Sequence, residues 1–322
     1  MYTGHGGGAR PNPYAPVRLA LPRYWPGPRR DATDLGFGMS IHRLYALGPE
    51  GTFSDAAARL LREHLIGEGE APGIEIVYSR TIPEALEHAA GDPGSRAVAP
   101  IENSETGMVV ATQDHLAKFG LRIEWELGVR VRYHLLADPR LESVARLYVH
   151  PVAQEQCDIF IAKHMARAEV VATRSNADSA LRWAAATADE RSAAIVPLHY
   201  DSPRPASVDL ADVQNDPQNT TRFVVVRGGK LEEDFSRAKT SLLIEPDADR
   251  PGLLFEILSV FKKHDINLCR IESRPARTRP WAYVFYLDIT NNEQSAAAIK
   301  ELRGGKWNVV MLGTFDALPQ GA

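Results

Sequence analysis

From Arg43 onward the chain alternates short runs of β-branched and aromatic residues with stretches whose apolar positions recur every three to four residues. Arg43 to Leu47, Ile74 to Tyr78 and Arg96 to Ile101 read as strands, and Asp55 to His64 and Ile82 to Ala90 as helices. The spacing predicts a helix from Gly107 through Leu116, then strands at Val129 to Leu136 and Leu147 to Val149. A helix Val152 to His164, a strand Ala168 to Ala172 and a helix Ala177 to Ala188 follow. Strands Ala193 to Val196 and Thr221 to Val226 close this part. Such alternation argues for α/β layers.

Beyond a charged stretch, 229–238, that reads as a linker, the pattern changes. Thr240 to Glu245 is a strand, Pro251 to His264 an amphipathic helix, Ile266 to Ser273 and Trp281 to Thr290 strands, Glu293 to Leu302 a helix and Trp307 to Leu312 a last strand. The order βαββαβ is that of a ferredoxin-like α+β sandwich, whose open sheet is expected to pair with a second copy, giving a homodimer or homotetramer. Residues 42–228 and 239–322 are therefore expected to be two domains.

Composition narrows the choices. The first 38 residues hold seven Gly and six Pro and no apolar core of a secretory signal, so 1–41 is expected to be a disordered tail, with Met39 the true start. A net charge of −4 over 322 residues excludes a basic nucleic-acid binder. No apolar run approaches the ~20 residues of a membrane helix. Cys157 and Cys269 have no CxxC or HxxxH partners and read as reduced thiols of a cytoplasmic protein without a metal site.

Four stretches could carry chemistry. Gly48-Pro-Glu-Gly-Thr52-Phe-Ser54 lies between a strand and a helix, where Thr52 either caps the helix or helps seat an anion. Ile101-Glu-Asn103-Ser104 puts polar side chains at the carboxyl end of a buried strand, the usual ligand position in α/β folds. His150-Pro151 with Gln154 and Gln156 opens a helix, and Asn219-Thr-Thr221-Arg222-Phe223 sets a hydroxyl beside a guanidinium at a strand entry. Strand neighbours face opposite ways, so the last two share a site only if a bulge or loop turns them.

GPEGTFS at 48–54, PIENSETG at 100–107, HPVAQEQC at 150–157 and NTTRF at 219–223 resemble, in order and spacing, the prephenate dehydratases. Arg250-Pro-Gly252-Leu253-Leu254, Asn267 to Pro275 and Leu312-Gly-Thr-Phe315 resemble that family's ACT regulatory domain. The resemblance implies two lobes like those of type II periplasmic binding proteins, a prephenate substrate between them, and conversion to phenylpyruvate with loss of carbon dioxide and water without any cofactor. It implies Thr221 as catalytic residue, Arg222 as clamp for a substrate carboxylate, Asn103, Ser104 and Gln156 as hydrogen-bonding partners, and Thr52 with its amides as seat of the other carboxylate. For the ACT domain it implies L-phenylalanine held by Gly252, Leu253, Leu254, Asn267, Glu272, Ser273 and Arg274.

The chain departs from the family pattern at Met108, Val149, Asn176, Ile195 to Tyr200, Asn215 and Leu253. A non-aromatising prephenate decarboxylase, a dehydratase for arogenate or another analogue, and a catalytically silent amino-acid sensor are the alternatives. Retention of Thr221 argues for dehydration.

Overall fold

The computed structural model describes residues 41–69, 73–138, 140–229, 233–276 and 282–318; the expected tail and its Met39 start lie outside the described residues. The first lobe is built on β1 (Arg43–Leu47), β2 (Glu75–Ser79) and β3 (Ser95–Asn103), with β2 and β3 parallel to β1 on its two sides. Its helices are α1 (Phe53–Gly67) and α2 (Ile82–Gly91). Thr52 and Thr81 cap them, accepting from the backbone N–H of Asp55 and Glu84. α1 packs Ala57, Ala58, Leu61 and Leu65 on one face of the sheet, and α2 packs Ala85, Leu86 and Ala89 on the other.

The expected helix at Gly107 starts later. A short strand, β4 (Gly107–Met108), folds back on Glu102 and Asn103 before α3 (Val110–Lys118) begins. Asn103 Oδ1 accepts from the backbone N–H of Glu105 and Thr106 at 3.0 Å each, closing the turn locally.

The run read as one strand from Val129 to Leu136 is two. β5 (Arg122–Arg130) belongs to the first lobe and β6 (Tyr133–Ala137) to the second. Between them Val131 donates to Asn219 O at 2.8 Å, directly before the return strand β11 (Thr220–Arg227). Arg132 and Asp212 pair in a bidentate bond at 2.7 and 2.8 Å and tie the two crossings together.

The second lobe's sheet runs β10 (Val208–Ala211), β6, β9 (Ser192–Pro197), β7 (Arg146–Val149), β8 (Glu169–Ala172). The single helix expected after Pro151 breaks at Cys157 into α4 (Pro151–Gln156) and α5 (Asp158–His164). The buried Cys157 thiol, its pKa pushed up to about 12 by burial, packs with Ala153 and Ile161 under this sheet. α6 (Asn176–Ala185) covers the other face with Ala180 and Trp183.

The C-terminal region is the expected βαββαβ unit: β12 (Lys239–Pro246), α7 (Leu253–Lys263), β13 (Leu268–Pro275), β14 (Tyr283–Thr290), α8 (Ser295–Arg303) and β15 (Trp307–Ala317). Its sheet order is β13-β14-β12-β15. β15 runs five residues past the expected end, Leu312, and there pairs with β5, Asp316 facing Trp125 and Ala317 facing Glu126. The C-terminal sheet and the first lobe's sheet thus form one continuous sheet. Gly313 permits this approach, because a Cβ there would lie 2.3 Å from Ile123 O.

Candidate functional site

Asn103 organises the centre of the site. With its oxygen occupied by the turn that follows β3, its Nδ2 donates to Asn219 Oδ1 at 2.7 Å and to Thr221 Oγ1 at 3.0 Å. Asn219 Nδ2 in turn donates to Glu105 Oε2 at 2.8 Å. Ser104 Oγ accepts from Thr220 N at 3.0 Å and lies 3.3 Å from Asn219 Oδ1. Asn103 and Asn219 are buried, so their amides exchange few bonds with water. Since Thr221 Oγ1 accepts from Asn103, its own proton is left for another partner.

The second lobe completes the network. Tyr133 donates to Gln156 Oε1 at 3.1 Å, and both side chains are buried. Gln156 faces Glu105 and opposes the rise of its pKa, and Asn176 does the same at Tyr133. Burial, with Cys157 nearby, raises the Tyr133 hydroxyl well above its ordinary pKa, so it stays protonated and donates. Glu105 is raised by burial and by Asp216, with Glu155 adding and Gln156 opposing. Phe53 stands edge-on to Tyr133, ring centres 5.4 Å apart, and edge-on to His199 at 5.3 Å. His199 Nε2 donates to Thr52 O at 3.1 Å, and burial holds its pKa below the ordinary value.

The structure therefore brings together Thr221, Asn103, Ser104 and Gln156 of the expected residues. It does not bring Arg222 to them, which corrects the expectation of a guanidinium beside the hydroxyl. A bulge does occur between Arg222 and Phe223 in the pairing with β3, but alternation along β11 persists. Phe223 and Val225 pack toward α1, whereas Val224 and Val226 pack toward α2 and the C-terminal sheet. Arg222 follows the second set and pairs with Asp288. Thr52 is likewise engaged: its hydroxyl donates to Pro49 O at 3.0 Å and caps α1.

Sequence reasoning passed over Tyr133, Glu105 and Asn176 as site residues and did not single out Asn219. Asn219 heads the motif that contains Thr221, and Glu105 follows Ser104 directly, so proximity to motif residues was the available signal. Tyr133 opens an apolar strand and gave none.

A cavity of about 860 Å³ also opens between the lobes, lined by Gly51, Arg59, Arg130, Arg132, Tyr200 and Thr220 among others. Thr221 and Asn103 do not line it. Two of its cations are already paired, Arg59 with Asp55 and Arg132 with Asp212. We place the candidate site at the network instead, where Asn103 bonds the Thr221 hydroxyl and Asn219 links that amide to Glu105, which faces Gln156 of the second lobe.

In the C-terminal unit, Leu253 and Ser273 line a cavity of about 240 Å³ with Asp249, Tyr283 and Phe285. Gly252 precedes α7 with φ +82°, and Arg274 lies 3.6 Å from Asp114 of α3. Leu254 packs against the unit's core, and Asn267 accepts through its backbone oxygen from Thr290 N at 2.9 Å. Glu272 lies on β13 opposite Tyr286, while neither it nor Asn267, Leu254 or Arg274 lines the cavity.

Residues 44–230 match the family model described as prephenate dehydratase, and residues 248–304 that of the ACT domain. A protein of Methanocaldococcus jannaschii named prephenate dehydratase is 32% identical over 280 residues, 84% of this chain and 97% of that one. A bifunctional chorismate mutase/prephenate dehydratase of Stutzerimonas stutzeri is 32% identical over 260 residues, 78% of this chain; the match spans 66% of that longer relative. The solved prephenate dehydratase of Arthrobacter aurescens, in complex with L-Phe, has a TM-score of 0.69 at 28% identity and covers 85% of this chain and 90% of its own.

Proposed function

This chain belongs to the prephenate dehydratase family and carries an ACT domain, and from that premise we propose that it converts prephenate to phenylpyruvate. The observation that carries the reading is the Thr221 hydroxyl, oriented by Asn103 and set where the two lobes meet. In the reaction the bond between the ring and its carboxylate breaks, carbon dioxide leaves, and the freed electron pair moves through the ring. The C4–oxygen bond then breaks and the departing oxygen takes a proton to become water. Aromatisation drives the step, so the protein's work is to orient the diacid and supply that proton. Thr221 is the donor in this reading. Ser104 and Gln156 hydrogen-bond the substrate, and Asn103 fixes the hydroxyl's direction. The free backbone amides at the start of α1, next to Thr52, receive one carboxylate.

The 240 Å³ cavity beside Leu253 and Ser273 is where the same reading puts L-phenylalanine, the ligand bound by the Arthrobacter relative. Gly252 and Leu254 flank Leu253 of that cavity's wall, Glu272 and Arg274 flank Ser273 on β13, and Asn267 directly precedes that strand. β13 ends the C-terminal sheet and is the edge through which a homodimer, or a homotetramer built from it, would form. No helix among the described residues is long and apolar enough to cross a membrane, and the proposed setting is the cytoplasm.

The test is incubation of purified protein with prephenate, following the absorbance of alkaline phenylpyruvate, beside the Thr221→Ala variant. Absence of phenylpyruvate from wild type would overturn the reading, and a dihydro keto acid in its place would identify the non-aromatising decarboxylase.

A further inference from the structure

Arg222 enters a group of charged side chains contributed by both parts of the molecule. Glu102 of β3 and Glu126 of β5 come from the first lobe, and Lys239 of β12, Arg270 of β13 and Asp288 of β14 from the ACT domain. Arg222 Nη2 lies 2.8 Å from Asp288 and 3.1 Å from Glu102, and Nη1 lies 3.1 Å from Glu126. Lys239 pairs with Glu126, and Arg270 lies 3.6 Å from Asp288 and donates to Gln113 of α3. The three cations and three carboxylates balance. Burial works against the Arg222 charge, but Asp288, Glu126 and Glu102 outweigh it and hold its pKa above the ordinary value.

The group is not saturated. Asp288 Oδ1, Arg222 Nε and Arg270 Nη1 are all buried without a hydrogen-bond partner. Two donors and one acceptor are thus left over in one buried cluster, where an unmet polar group is costly and a different pairing of these side chains would recover part of that cost. The strands that deliver Arg270 and Asp288 also deliver Ser273 and Phe285 to the cavity, three residues away along each. That spacing is about 10 Å of extended chain.

Resting on the reading of Thr221 given above, we propose that Asp288 is a positioning residue for the reaction. Acting through Arg222, it holds the entry of β11 so that Thr221 stays against Asn103, and it is the point at which occupancy of the ACT cavity reaches the reacting hydroxyl. The strand makes the coupling obligatory. Thr221 and Arg222 are consecutive and project oppositely, so a turn of the backbone that lets Arg222 follow Asp288 carries Thr221 the other way.

Three measurements on the full chain test this, with Asp288→Asn and Arg222→Lys compared with wild type. In wild type, phenylalanine is expected to bind by calorimetry and to lower the rate. In Asp288→Asn, kcat is expected to fall about tenfold with KM nearly unchanged, the mark of an interaction used in the transition state. Phenylalanine still binds that variant but no longer inhibits it, a separation that a partly unfolded sample would not show. Arg222→Lys gives the same result, and the double variant loses no more than either single one. Hydrogen exchange of the 221–225 amides is expected to be faster in Asp288→Asn, a readout independent of activity. Unchanged inhibition or unchanged exchange in Asp288→Asn overturns the proposal, as does a wild type indifferent to phenylalanine. A rise in KM alone for Arg222→Lys would return Arg222 to the substrate. Wild type that makes no phenylpyruvate would instead remove the reading of Thr221, leaving the exchange comparison to decide the coupling.

Discussion

Asn103 Nδ2 stands 3.0 Å from Thr221 Oγ1, and the direction of that bond is fixed by the other end of the same amide. Asn103 Oδ1 accepts two backbone N–H groups, so the NH₂ must face the threonine and the threonine oxygen must accept. Its own proton is thereby left for another partner. Thr221→Ala is expected to lower kcat by about a hundredfold or more, the usual contribution of a positioned acid. Asn103→Asp replaces the donor by an acceptor that captures the Thr221 proton and repels a diacid. Phenylpyruvate formation should fall as far in Asn103→Asp as in Thr221→Ala; near-normal turnover there would show that the amide does not direct the hydroxyl.

Glu105 binds its proton more tightly in the folded chain than in the unfolded one, because of burial and the neighbouring Asp216 and Glu155. Such a carboxyl contributes its full stability at pH below the ordinary value of 4.5 and loses it as pH rises through the raised one. Glu105→Gln keeps a hydrogen-bonding group without the charge. Melting temperatures of wild type and Glu105→Gln should therefore agree near about pH 4 and separate toward about pH 7, with the variant the more stable. A wild type more stable than the variant at neutral pH would mean that the carboxylate is favoured there.

The alternation of strands and helices, the two-part chain and the βαββαβ unit were legible because each rests on local patterning. Long-range placement was not. Val129 to Leu136 carries no glycine or proline, and its alternation of apolar with basic residues, Val-Arg-Val-Arg-Tyr-His, continues a strand pattern straight through Val131 and Arg132, the crossing between lobes. β10 went unseen because Val208 to Ala211 is largely exposed and lacks alternation. Asn103, Gln156 and Thr221 could be picked out from their motifs, and Asn219 stands in one of them, but the bonds that direct these side chains could not be read, since Asn219 and Tyr133 acquire their roles only when β3, β6 and β11 are brought together. Arg222 shows the limit most directly. Its sequence neighbour is Thr221, while its physical partner is Asp288, 66 residues away.

Gly51 adopts φ +82° in the turn before α1, and a Cβ there would lie 2.0 Å from Tyr200 Cδ2 of the second lobe. Its N–H also donates to Asp55 at 2.9 Å, so the turn cannot simply move away. Gly51→Ala is expected to cost about 1–3 kcal/mol through backbone strain, and to push Tyr200 off the first lobe. Thermal melting should show the loss, and Gly51→Ala/Tyr200→Ala should recover part of it by removing the clash. A double variant no more stable than Gly51→Ala would assign the whole effect to the backbone.

Leu253 serves two purposes that oppose each other. It is buried against Ile257 and Phe285 in the core of the ACT domain, and it also forms a wall of the 240 Å³ cavity. Truncation to alanine removes apolar contacts from the core, at a cost of about 2–4 kcal/mol, while enlarging the space open to an aromatic amino acid. Without ligand, Leu253→Ala should melt below wild type. With phenylalanine present its melting temperature should rise by more than that of wild type, because a ligand that binds the folded state more tightly stabilises it further. The inhibitory concentration of phenylalanine should fall in parallel. If the ligand-induced rise is instead equal or smaller in the variant, the leucine is a core residue alone and the cavity is already wide enough for its occupant.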